Sequence, residues 1–241
     1  MKRDPPKAPY RVFQVISNSK AYALALMIPL MLGIAQVASA GPLEDGVAAY
    51  MRGDYTTALR LWRPLANQGE AIAQSNLGLM YAKGQGVARN YVEALKWYRL
   101  AANQGIAIAQ SSLGAMYNNG QGVAQNSVEA LKWYRLAANQ GNAIAQSALG
   151  LMYANGRGVA PNHGEAVKWY RLAANQGDAM AQFSLGVMYD EGRGVAQNDG
   201  EALKWYRLAA NQGFAGAQSN LGVMFANGQG VAQNDAEAVK W

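Results

Sequence analysis

The chain has 241 residues, 51% of them hydrophobic, with no cysteine and a single histidine, His163. That composition supports a packed core, and it excludes disulfide frameworks, thiolate metal sites, cysteine nucleophiles and multi-histidine zinc sites. The formal net charge of +6 does not signal nucleic acid, because four of those charges come from residues 1–40, where Lys2, Arg3, Lys7, Arg11 and Lys20 face Asp4 alone; the nearly balanced remainder lacks an electrostatic footprint for DNA or RNA.

Residues 1–20 are basic and proline-bearing, and Ala21–Val37 carries no charge. Ala38-Ser39-Ala40 then gives a small-x-small ending before Gly41. A basic stretch, an apolar stretch and such an ending have the form of a secretory signal peptide over residues 1–40. Cleavage after Ala40 predicts an exported body, periplasmic or secreted, with no membrane span in the mature form. The alternative is an uncleaved inner-membrane anchor over residues 21–37, which stand at the short limit for a spanning helix.

The body is one unit repeated. Trp97, Trp133, Trp169, Trp205 and Trp241 are spaced by 36 residues. Aligned on them, the units run 70–105, 106–141, 142–177, 178–213 and an incomplete 214–241. A fixed period in the range of 20–50 residues is the signature of a solenoid. Within each unit a first helical segment ends at a glycine, Gly84 in the first unit, which suits a left-handed C-terminus. A second segment follows Asn90, Asn126, Asn162, Asn198 or Asn234, each with glutamate three residues later, resembling a capping box. Ala94, Trp97, Tyr98 and Ala101 share one face of that helix. A mid-helix glycine recurs as Gly78, Gly114, Gly150, Gly186 and Gly222. Each would cost about 1 kcal/mol against alanine on an exposed helix, so its recurrence implies close approach of the partner helix, whose Trp and Tyr need room.

Residues 42–69 read as an atypical leading hairpin with a short connector, Gly53-Asp54. It is aligned with the other units through Trp62 and its "LANQG" ending, and Pro64 predicts a kink or break in its second helix. At the other end, the segment from Asn234 has about two turns and lacks counterparts of Tyr206 and Ala209, so it is expected to fray. The fold class is therefore all-α, a solenoid of helix-turn-helix repeats behind the signal peptide.

The strings "AQSNLGLMYAKGQGVARN" and "EALKWYRLAANQG" resemble the Sel-one-like repeat, a relative of the tetratricopeptide repeat. Ala73, Leu77, Gly78, Met80, Tyr81, Gly84, Gly86 and Val87 match the first half of that family's unit. Ala94, Trp97, Tyr98, Ala101, Ala102 and Gly105 match the second. The resemblance implies a right-handed α-solenoid and an adaptor role in envelope complexes, regulation or bacterium–host contact. A cysteine-rich branch of the family is credited with binding or hydrolysing penicillin-type substrates. This chain lacks the paired cysteines, and that activity stands only as an alternative.

No catalytic constellation is visible. Glu93/Lys96 and its four repeats stand at i, i+3 and read as surface ion pairs worth a few tenths of a kcal/mol. "GQGV" lacks the lysine and strand of a phosphate loop. His163, at a helix start, reads as a surface residue. No cofactor and no metal are implied.

Positions that differ between units mark a candidate binding face on the first helices. They are Ile72, Asn76, Leu79 and Lys83 in the first unit, Ile108, Ser112, Ala115 and Asn119 in the second, Ile144, Ala148, Leu151 and Asn155 in the third, and Met180, Ser184, Val187 and Glu191 in the fourth. Spacings of four, three and four residues place them on one helical face. That face is expected to line the concave surface and take a protein or peptide partner; the alternative is that part of it packs between units. The expected function is a non-enzymatic scaffold for protein–protein interaction.

Overall fold

The same two short signals, an asparagine before the second segment and a glycine after the first, cut the body into paired helices. A computed structural model describes residues 41–241. The signal peptide expected over residues 1–40 lies outside the described residues. Among those described there are twelve helices and no strand. The leading hairpin is α1 (Pro42–Met51) and α2 (Tyr55–Asn67). The units follow as α3 (Ala71–Lys83) with α4 (Tyr91–Asn103), α5 (Ala107–Asn119) with α6 (Ser127–Asn139), and α7 (Ala143–Asn155) with α8 (His163–Asn175). The last two are α9 (Ala179–Glu191) with α10 (Asp199–Asn211), and α11 (Ala215–Asn227) with α12 (Asp235–Lys240). The chain is an α-solenoid. No helix among the described residues is long and apolar enough to cross a membrane.

Local chemistry fixes the ends. The Asn90 side chain accepts from the Glu93 backbone N–H at 3.1 Å, and Asn126, Asn162, Asn198 and Asn234 do the same for their own glutamates. Gly84 closes α3 at φ 70°, a left-handed conformation that glycine adopts without a Cβ clash. The second connector glycine has a further reason. A Cβ on Gly122 would lie 2.4 Å from the Tyr91 carbonyl oxygen, so the loop of one unit seats on the start of the second helix before it.

The mid-helix glycines meet tyrosine rings. A Cβ on Gly78, Gly114, Gly150 or Gly186 would lie 2.5–2.8 Å from the ring of Tyr98, Tyr134, Tyr170 or Tyr206. The leading hairpin repeats this contact with Trp62, whose ring would lie 2.2 Å from a Cβ on Gly46. Trp62 is therefore the counterpart of Tyr98, 36 residues on, and not of Trp97, as the alignment on tryptophans supposed. Leu61 takes the Trp97 place. The larger indole fills the tyrosine slot and donates through Nε1 to the Leu43 carbonyl at 3.1 Å.

Pro64 neither ends nor divides α2, which runs unbroken for 13 residues like the other full second helices. Proline withholds one backbone donor. The carbonyl left without it, that of Arg60, belongs to an exposed residue, as does Pro64 itself. The terminal helix α12 is formed and capped by Asn234, and none of its residues is buried. Trp241 packs half-buried against the core of the last two units.

Candidate partner-binding surface

The solenoid has two unlike sides. First helices of successive units touch directly, α3 with α5, α5 with α7 and α7 with α9, whereas no pair of second helices makes comparable contact. Helices that crowd together lie on the inside of a curve. The first helices therefore form the inner row and the second helices the outer one, and the expected binding face falls on the inner row.

The sixteen expected residues divide by depth. Lys83, Asn119, Asn155 and Glu191, at the ends of their helices, are exposed. At the other end of the face Ile72 is 45% exposed, while Ile108, Ile144 and Met180 are half-buried. Leu79, Ala115, Leu151 and Val187 are half-buried and pack on the core that the second helix shares with the next first helix. Asn76 is only 3% exposed and is closed to a partner. Ser112, Ala148 and Ser184 are half-buried, and the Tyr170 phenol hydrogen-bonds to Ser184, as the Tyr206 phenol does to Asn220. This seventh position therefore faces the aromatic residue of the preceding unit, at least at Ser184 and Asn220.

Several features were not read from the sequence. A buried glutamine in four of the first helices, α3, α5, α7 and α9, ties three helices together. Gln146 Nε2 donates to the Ala138 carbonyl of the preceding unit at 3.1 Å, while its Oε1 accepts from Gln176 at 2.7 Å. The same pair of bonds recurs at Gln74, Gln110 and Gln182. On the outer side Arg63, Arg99, Arg135 and Arg171 each donate to a tyrosine hydroxyl 18 residues on. Where that tyrosine becomes Phe225, Arg207 lies over the ring at 5.8 Å instead. The only sequence signal was recurrence, which a structural ladder and a binding row share.

The fourth and fifth units carry a coupled change. Phe183 stands where other units have serine, and its ring stacks on Phe214 at 4.9 Å. Gly216 stands where other units have Ile or Met, and a Cβ there would already lie 3.2 Å from the Phe183 ring. One substitution makes room for the other. Beside them the Tyr206 hydroxyl donates to Asp190 at 3.1 Å. Burial pushes the Asp190 carboxyl above the usual carboxylate range, with the tyrosine bond opposing the shift. Glu191 pairs with Arg193 at 3.2 Å. His163 is half-buried, not a plain surface residue, and its Nδ1 is enclosed.

Comparison with known proteins agrees with this geometry. The profile of the Sel1 repeat matches residues 35–70, 71–106, 107–142, 143–178, 179–214 and 215–241. A Sel1 repeat protein from Oxalobacter formigenes superposes with a TM-score of 0.79 at 36% identity, covering 84% of this chain and 81% of its own. A protective antigen of uropathogenic Escherichia coli strains, displaying an SLR fold, superposes at 0.77 with 39% identity over 82% of this chain. The chain spans 43% of that antigen's length. An immunity protein from Pseudomonas aeruginosa shares the fold at 20% identity and a TM-score of 0.54, over 85% of both chains. No curated protein matches the chain.

Proposed function

The chain belongs to the Sel1 repeat family, and from that premise we propose that it is an exported, non-catalytic scaffold that holds a protein or peptide partner against its inner row of helices. Sel1 repeats are generally scaffolds for protein interaction. The observation that carries the reading is the contrast between the two rows. Beyond its first turn the outer row keeps the same residues in nearly every unit, whereas the inner row varies most at its exposed end, through Lys83, Asn119, Asn155 and Glu191, and less at Ile72, Ile108, Ile144 and Met180. A surface that differs from unit to unit can recognise an aperiodic partner, and an extended solenoid face offers the area to do so.

Export rests on the pattern of residues 1–40, and the setting is the cell envelope or the host interface. The test has two parts. Intact mass of the protein in the extracytoplasmic fraction should match a chain starting at Gly41; full-length protein in the cytoplasm overturns export. Crosslinking through a photoreactive amino acid at position 119 or 155 should capture a partner, whereas the same group on the outer row at position 103 should not. Equal capture from both rows overturns the assignment of the inner face.

A further inference from the structure

The outer row has a composition that packing does not explain. With about 100° per residue, Val92, Lys96, Arg99, Leu100 and Asn103 cover one outward arc of α4. Its leucine counterparts Leu136, Leu172 and Leu208 recur at each turn of the solenoid. These four leucines are 41–48% exposed, and Val92 and Val128 are 63–64% exposed. None of the six belongs to the core clusters.

Cations surround them. α4, α6 and α8 each carry two cations against one acid, and α2 carries Arg60 and Arg63 with no acid; α10 is balanced by Asp199 and Glu201, and α12 has one cation against two acids, so the positive charge is concentrated from α2 to α8. The lysines lie along tryptophan rings, Lys96 at 5.3 Å from Trp97 and Lys204 at 5.1 Å from Trp205. The arginines are held by tyrosine hydroxyls of the following unit, so the guanidinium groups stand as a fixed row with donors still free. The lysine charges are met by glutamates at i−3. The arginines have no such acid, and they supply the excess positive charge of this face.

We propose that this outer row docks on an anionic phospholipid surface. A face that repeats the same arginine and the same leucine in four successive units, α4 to α10, cannot distinguish one epitope from another. It matches a partner that is itself laterally uniform. A bilayer carrying anionic headgroups offers phosphate to the arginine row and an apolar boundary to the leucines and valines. A soluble polyanion would satisfy the cations and leave the aliphatic groups in water. Because the two rows face opposite ways, the scaffold can lie on a membrane by one side and hold its partner by the other.

The test uses the full chain, whose lack of cysteine allows single labels. An environment-sensitive dye is placed through Asn139→Cys on the outer row or Asn119→Cys on the inner row. Vesicles are phosphatidylcholine alone, or phosphatidylcholine mixed with phosphatidylglycerol. The label at 139 should blue-shift with the mixed vesicles only, lose the shift at high salt, and report more than the label at 119. Arg135→Gln with Arg171→Gln should weaken vesicle binding by up to about thirtyfold. Leu136→Ser with Leu172→Ser should weaken it while leaving the salt dependence in place. The basic stretch of residues 1–20 would itself favour the mixed vesicles, but it would act on the labels at 139 and 119 alike and would not respond to the changes at Arg135 and Arg171; an equal response at both labels, or to pure phosphatidylcholine, overturns the proposal. No shift at 139, or a shift with heparin but none with vesicles, also overturns it, the latter by assigning the face to an acidic polymer.

Discussion

Gly150→Ala should destabilise the solenoid, against the sign that helix propensity alone predicts. On an exposed helix the change gains up to about 1 kcal/mol. Here the new Cβ would lie 2.5, 2.6 and 2.9 Å from Tyr170 Cδ1, Cε1 and Cγ. That ring is buried and belongs to the core between the third and fourth units, so it cannot swing away without disturbing it. Overpacking of this kind costs about 1–3 kcal/mol, which leaves a net loss of up to about 2 kcal/mol after the propensity gain. At about 2–4 °C per kcal/mol for a chain of this size, the melting temperature should fall by up to about 8 °C. Gly164→Ala is the internal control. It lies in the first turn of α8, its nearest neighbour is Asn162 Oδ1 at 3.4 Å, and other units place Val92 and Val128 there. That variant should be neutral or stabilised by up to about 1 kcal/mol. Far-UV circular dichroism with heat and urea reads both. The double change Gly150→Ala, Tyr170→Ala should cost less than its two singles summed, since the clash needs both groups. A rise in stability for Gly150→Ala comparable to that for Gly164→Ala would refute the idea that the glycine exists to admit the ring.

The remaining expectations concern the ladder, the buried acid and the last helix. Gln146→Ala should cost about 1–3 kcal/mol, because it removes two hydrogen bonds, to the Ala138 carbonyl and from the Gln176 amide, each worth about 0.5–1.5 kcal/mol; an unchanged urea midpoint would show that water replaces the ladder. Asp190 has its carboxyl pushed up by burial, so the folded state holds the proton more tightly than the unfolded one. Its presence then lowers stability at neutral pH, and the loss recedes as pH falls through the raised folded value toward the unfolded one. Asp190→Asn should therefore raise the melting temperature at pH about 7 and raise it less at pH about 4; a larger gain at the acidic end would contradict this. Hydrogen exchange should be faster over residues 236–241 than over α6 or α8, since α12 buries no residue; equal protection would show that Trp241 anchors it.

The spacing of Trp97 through Trp241, the five asparagine caps and the glycine stops specified the period, the helix type and the helix ends. These depend on chemistry within a few residues: a side-chain acceptor over the first turn, a backbone free to turn left-handed. The requirement for room at Gly150 was legible too, because a costly residue that recurs must be compensated. What the ring was, and that Trp62 fills a tyrosine slot, depended on contact between helices that repeat alignment by residue type does not see. Only the tertiary structure separated Asn76, closed off among packed helices, from Asn119, open to solvent, although both vary between units. It alone joined Phe183 to Gly216 across 33 positions of sequence, because one void had to be shared by two helices. The glutamine bonds were hidden for the same reason. One partner of each is a backbone carbonyl of another unit, and a carbonyl leaves no mark in the sequence.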